Sequence, residues 1–106
     1  MIQNLNPVQI KEILESDEKI RLIDVREEWE YQIAKIPGSE LMPLSRFIQY
    51  VPLLDPNEKI IVYCHRGVRS LNACYYLTNV GFKSIINLNG GIDAWANEID
   101  GNISKY

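Results

Sequence analysis

The apolar positions of the chain fall into short runs and spaced faces that alternate from one end to the other. Asn6-Pro7 with Gln9 has the chemistry of a helix start: a capping side chain, a proline at the first helical position, and an amide that can reach back. Ile10, Ile13 and Leu14 then recur at helical spacing. Lys19 to Val25, KIRLIDV, reads as a strand, and Ile20, Leu22 and Ile23 make it too apolar to be half-exposed. Glu27 to Ala34 is charged and reads as a short helical turn. IPGSELMPL carries Pro-Gly punctuation followed by a short extended piece. Ser45 to Val51 is expected to be helical and to end at Pro52, and Asp55-Pro56-Asn57 is a turn. Lys59 to Tyr63 is a strand of Ile, Ile, Val and Tyr. Ser70 to Val80 reads as a helix with Ala73, Cys74, Leu77 and Val80 on one face and Gly81 as its stop. Phe82 to Leu88 is another strand, and Gly90-Gly91 turns into a last helix, IDAWANEI.

Strands that alternate with helices argue for an α/β fold with a parallel sheet covered on both faces. In such sheets ligands bind beyond the carboxyl ends of the strands. Cys64 follows the end of one strand, and Asp24 and Arg26 lie at the end of another. The fold alone therefore points to these residues.

Composition narrows the class. The chain has 106 residues, which fits one domain spanning 1–106, and 46% hydrophobic content allows a small core. A charged fraction of 24% excludes a disordered tail. No apolar run approaches the length of a bilayer span, so no membrane association is expected. Met1 to Asn6 has neither a basic residue nor a long apolar region, unlike a secretory signal. With 2 cysteines, the chain reads as a cytoplasmic protein with free thiols. Cys74 lies well along the helix after Cys64, so a disulfide between them is not expected.

The net charge of −3 conceals a segregation. From Lys59 to Ile92 there is no Asp or Glu, while Lys59, Arg66, Arg69 and Lys83 give that window +4 and leave −7 for the remainder. An acidic protein without a broad basic face is not expected to bind nucleic acid, but a local basic window suits a small anion.

The segment CHRGVRS, 64 to 70, supplies the chemistry. Gly67 permits positive φ and close backbone approach. A strand turning sharply into a helix aims backbone N–H groups into the bend, and the helix N-terminus adds partial positive charge. Arg66 and Arg69 add full charges. Each effect favours thiolate over thiol at Cys64, and the thiolate is the nucleophile. His65 is expected to line the entrance, because neighbours on a tight loop point apart. Cys74 is expected to be a core residue. One His and two cysteines lack the spacing of a zinc ligand set, so no metal and no cofactor is expected.

LIDVREEWEY (22 to 31), KIPGSELMPL (35 to 44), IVYCHRGVRS (61 to 70) and GFKSIINLNGGIDAW (81 to 95) occur in the order of a single-domain rhodanese, a sulfurtransferase module, and the chain resembles that family over most of its length. It departs at Lys35, where family members commonly carry His before Ile-Pro-Gly. The resemblance implies the rhodanese-like fold, a small parallel sheet of about five strands with helices on both faces. It implies that Cys64 is the catalytic cysteine and that His65, Arg66, Gly67, Val68 and Arg69 complete the active-site loop. The implied chemistry moves sulfur from a small anionic donor such as thiosulfate to cyanide, a thiol or a protein, through a persulfide on Cys64. Arg66 and Arg69 are candidates for attracting the donor, and Arg69 has a competing role bracing the loop against Asp24 or Glu30. Asp24, Arg26 and Ser70 are expected to support the loop, and Trp95 to belong to the core.

Two alternatives share these residues. A sulfur carrier would relay sulfur between protein partners with the same cysteine. Cysteine phosphatases and arsenate reductases also cradle an oxyanion over a thiolate, in a loop one residue longer than the four residues between Cys64 and Arg69.

Overall fold

The computed structural model describes residues 2–106. Five strands, β1 (Ile2–Leu5), β2 (Ile20–Asp24), β3 (Glu40–Leu41), β4 (Lys59–Tyr63) and β5 (Ser84–Leu88), form one sheet in the order β1-β5-β4-β2-β3. Every pairing is parallel. The helices are α1 (Pro7–Glu15), α2 (Glu28–Ile33), α3 (Phe47–Tyr50), α4 (Val68–Asn79) and α5 (Gly91–Glu98).

Side-chain alternation along the strands splits the core between the two faces of the sheet. Ile60, Val62 and Cys64 pack on one side with Ala73, Cys74 and Leu77 of α4 and with Phe47. Ile61 and Tyr63 pack on the other with Ile10 of α1 and with Ile92 and Trp95 of α5. Central β4 is covered on both faces, which explains its unbroken apolar run. Among the described residues, no helix is long and apolar enough to cross a membrane.

The anticipated start of α1 is present: Asn6 Oδ1 accepts from Gln9 N–H at 2.9 Å, and Gln9 Oε1 accepts from Asn6 N–H at 3.0 Å. The stop of α4 is a Schellman arrangement, with Phe82 N–H donating to Leu77 C=O and Gly81 N–H to Thr78 C=O around Gly81 at φ +100°. Four expectations are corrected. Strand β1 was not anticipated, because IQNL is too short and too polar to announce itself. The helix expected over 45–51 is one turn, α3, between two 3-10 turns at Leu44–Arg46 and Val51–Leu53. Pro52 lies inside the second of these, where its missing N–H is not needed. Helix α4 begins at Val68, two residues earlier than expected, because Gly67 at φ +105° already turns the chain. Val80 is 47% exposed and leaves the apolar face it was assigned to, since the helix has ended before it.

Candidate active site

Strand β4 ends at Tyr63, and the chain turns at once into α4, so Cys64 sits at the carboxyl edge of the sheet. The turn is held from behind. The first N–H groups of α5, on Ile92 and Asp93, donate to the carbonyls of Cys64 and His65 at 2.9 and 3.0 Å. This close approach requires Gly91, where an added Cβ would meet His65 O at 2.4 Å and Cys64 O at 2.5 Å. With those carbonyls turned back toward α5, loop amides are free to face forward. Gly67 N–H donates to Cys64 Sγ at 3.0 Å. Ser70, in the first turn of α4 and fully buried, places its Oγ 3.3 Å from Sγ. The N–H groups of that first turn have no acceptor within the helix and add positive character at this end.

An open depression of about 380 Å³ lies over the loop, lined by Cys64, His65, Arg66, Val68 and Arg69. Cys64 is only 1% exposed, so the thiol is recessed rather than displayed. The depression is large enough for a small molecule.

The two arginines separate in role. Arg69 makes a two-pronged ion pair with Glu30, at 2.6 and 2.8 Å. Of the two partners anticipated for it, Glu30 is found. Asp24 is taken by Arg26 instead, at 2.7 Å and with both side chains wholly buried. Burial disfavours the Glu30 carboxylate, yet Arg69, the Glu27 N–H and the Tyr106 hydroxyl together hold its pKa at about 2. Among the described residues Arg66 has no acidic partner, which leaves its charge at the mouth of the depression.

Asp24 and Arg26 do not reach the depression. Arg26 also donates to Tyr106 Oη at 2.9 Å and to the backbone carbonyls of Glu30 and Ala34. The Tyr106 hydroxyl in turn donates to Glu30 at 2.7 Å. One polar chain thus runs from the end of β2 through α2 and Tyr106 to Arg69. His65 is stacked on the Tyr106 ring, with centroids 4.0 Å apart. Burial, then the Arg66 charge, lowers its pKa and favours the neutral imidazole. Stacked in this way, its ring lines one side of the depression.

Cys74 packs in the core on α4 and is fully buried. Both cysteines are free. Burial, and then the Cys64 sulfur, pushes the Cys74 thiol up to about 12.

The family model for the rhodanese-like domain matches residues 6–98. The chain belongs to the rhodanese-like family. A putative sulfurtransferase, YtwF of Bacillus subtilis, is 35% identical over 92% of this chain and 93% of its own length. The thiosulfate sulfurtransferase GlpE of Pseudoalteromonas translucida is 28% identical over 88% of each chain. A rhodanese-like domain protein from Staphylococcus aureus has a solved structure that superposes with a TM-score of 0.84, at 25% identity and 98% coverage of both chains.

Three residues around the Cys64 loop carry contacts that the sequence pattern does not announce. Gly91 has the sequence context of a turn glycine, whereas in the structure it allows close approach to the loop. Tyr106 carries no motif. Asn87 accepts from Ser70 Oγ, 2.5 Å away, and is 2% exposed. A polar side chain inside the apolar run SIINL was the available signal, since buried amides need partners.

Proposed function

We propose that this protein is a sulfurtransferase that carries a sulfane sulfur as a persulfide on Cys64. The Cys64 thiolate attacks the outer sulfur of thiosulfate. A Cys64–sulfur bond forms, the sulfur–sulfur bond of thiosulfate breaks, and its electron pair leaves with sulfite. The negative charge then rests on the outer sulfur of the persulfide. A thiophilic acceptor attacks that sulfur, the persulfide bond breaks, and the thiolate returns. With cyanide the product is thiocyanate, and no proton or external electron is consumed in either step.

The observation that carries this reading is the Gly67 N–H aimed at Cys64 Sγ from 3.0 Å in the floor of a depression rimmed by Arg66. A preorganised amide stabilises charge without reorganising during the reaction. Arg66 supplies long-range attraction for an anionic donor. The four-residue interval between Cys64 and Arg69 favours a guest centred on one sulfur atom over a tetrahedral phosphate. The commitment of Arg69 to Glu30 points the same way, because its guanidinium is not free to chelate a phosphoryl group. The names of YtwF and GlpE lend the reading independent support.

Thiocyanate formation from thiosulfate and cyanide tests it. The wild type and Cys74→Ser are expected to turn over, Cys64→Ser is expected to be inactive, and none of the three is expected to hydrolyse an aryl phosphate. Phosphate ester hydrolysis dependent on Cys64, without thiocyanate formation, would replace this reading with the phosphatase one.

A further inference from the structure

Ser70 Oγ lies between two acceptors, 3.3 Å from Cys64 Sγ and 2.5 Å from Asn87 Oδ1. A hydroxyl has one proton to donate. The orientation of Asn87 is set on its other side: Nδ2 donates to Asn4 Oδ1 at 3.0 Å and to Gly67 C=O at 3.4 Å. Its Oδ1 therefore points at Ser70 as an acceptor in a buried site, where an acceptor without a donor is costly. When Cys64 is a neutral thiol, all three groups are satisfied together: S–H donates to Ser70, and Ser70 donates to Asn87. When Cys64 is a thiolate, Ser70 must turn to the sulfur, and Asn87 Oδ1 loses its donor.

We propose that Asn87 is a positioning residue for the sulfur chemistry, competing with Cys64 Sγ for the single Ser70 proton. The inference rests on the sulfur-transfer reading above and deepens it. The Ser70 hydroxyl donates to Sγ while the charge is there. It returns to Asn87 once sulfur uptake has moved the charge to the outer atom of the persulfide. Asn87 thus disfavours the bare thiolate relative to both the thiol and the persulfide, so it helps the sulfur stay loaded. Strand β1 contributes through Asn4, which keeps the Asn87 carbonyl turned toward Ser70.

The charged groups around this switch come from the other side. Arg66 and Arg69 approach from the loop and α4, with His65 beside them and Cys74 farther along the helix. Glu30 of α2 is held by Arg69, Asp93 of α5 faces His65, and the Asp24–Arg26 pair closes the end of β2. From β5 Asn87 faces Ser70, and from β1 Asn4 faces Asn87; both are neutral amides, so their effect on the sulfur passes through the hydroxyl proton.

The test is the pH midpoint of Cys64 alkylation in the wild type, Asn87→Ala, Ser70→Ala and the double variant, with circular dichroism as a check of folding. Asn87→Ala frees the Ser70 proton, so its midpoint is expected to fall by roughly half a pH unit, about a three-fold gain in thiolate below the midpoint. In the Ser70→Ala background the same substitution is expected to move the midpoint by less than half as much. A shift of equal size in both backgrounds, an upward shift, or none overturns the proposal. Should Asn87→Ala not fold, the isosteric Asn87→Asp replaces it, with an upward shift that shrinks when Ser70 is removed; an undiminished shift counts against the switch. Sulfur loading of the wild type by thiosulfate, weighed intact, is read alongside. Loading without the coupling sinks the switch alone, whereas coupling without loading sinks the sulfur-transfer reading.

Discussion

The two cysteines sit in the same half of the core, both almost without exposure, and they differ in what surrounds the sulfur. Cys74 lies in an apolar cluster and has a thiol that burial pushes up to about 12. Cys64 has an amide N–H, a hydroxyl and an open depression with an arginine at its lip. Burial alone therefore does not distinguish the two sulfurs. Placement does: Cys74 is mid-helix, where every backbone N–H is spent on the helix, while Cys64 stands where a strand ends and a helix has not begun.

The largest expected break of this contrast is Cys64→Ser, which should abolish thiocyanate formation. Cys74→Ser should leave kcat/KM within about two-fold while costing about 1 kcal/mol of stability for the buried hydroxyl. Next comes Gly91→Ala, which forces a methyl group onto the carbonyls of Cys64 and His65. It should lose roughly 2 kcal/mol in denaturant unfolding and reduce turnover, because the loop can no longer rest on α5.

Removing the Arg69–Glu30 pair should have a smaller effect, sharpest in acid. The folded-state pKa of Glu30, about 2, lies below its ordinary value of 4.5. The pair's contribution is therefore complete above about pH 4.5 and is lost as pH falls toward 2. Glu30→Gln should flatten the acid limb of a stability–pH curve between those values. An unchanged acid limb would show that the pair does not brace the loop. The smallest effect is expected for Arg66→Ala, a few-fold rise in KM for thiosulfate that shrinks as salt is added, because an exposed charge acts at long range through solvent.

Much of this arrangement was legible in the residues, and the boundary between what was and was not has a physical basis. Strand β4 was assigned over its observed span, Lys59 to Tyr63, because a strand covered on both faces must be apolar throughout. The Cys64 loop stood out because His, Arg and Gly do not continue a core strand. The start of α1 and the stop of α4 were readable because caps are local chemistry. Strand β1 was not, since four residues at a sheet edge gain their stability from pairing with β5, which no local pattern records. The choice of Glu30 over Asp24 as the partner of Arg69 also needed three dimensions: Asp24 was equally acidic, but Arg26, two residues on, had already claimed it. Asn87 and Tyr106 act through partners 17 or more residues away, and spacing along the chain does not reveal such pairs.

Whether Cys64 takes up sulfur is read by intact mass after incubation with thiosulfate and removal of excess reagent. One added sulfur atom is expected on the wild type and on Cys74→Ser, discharged by cyanide, and none on Cys64→Ser. An unmodified wild type, or an added sulfur that survives the loss of Cys64, would contradict sulfur transfer through Cys64.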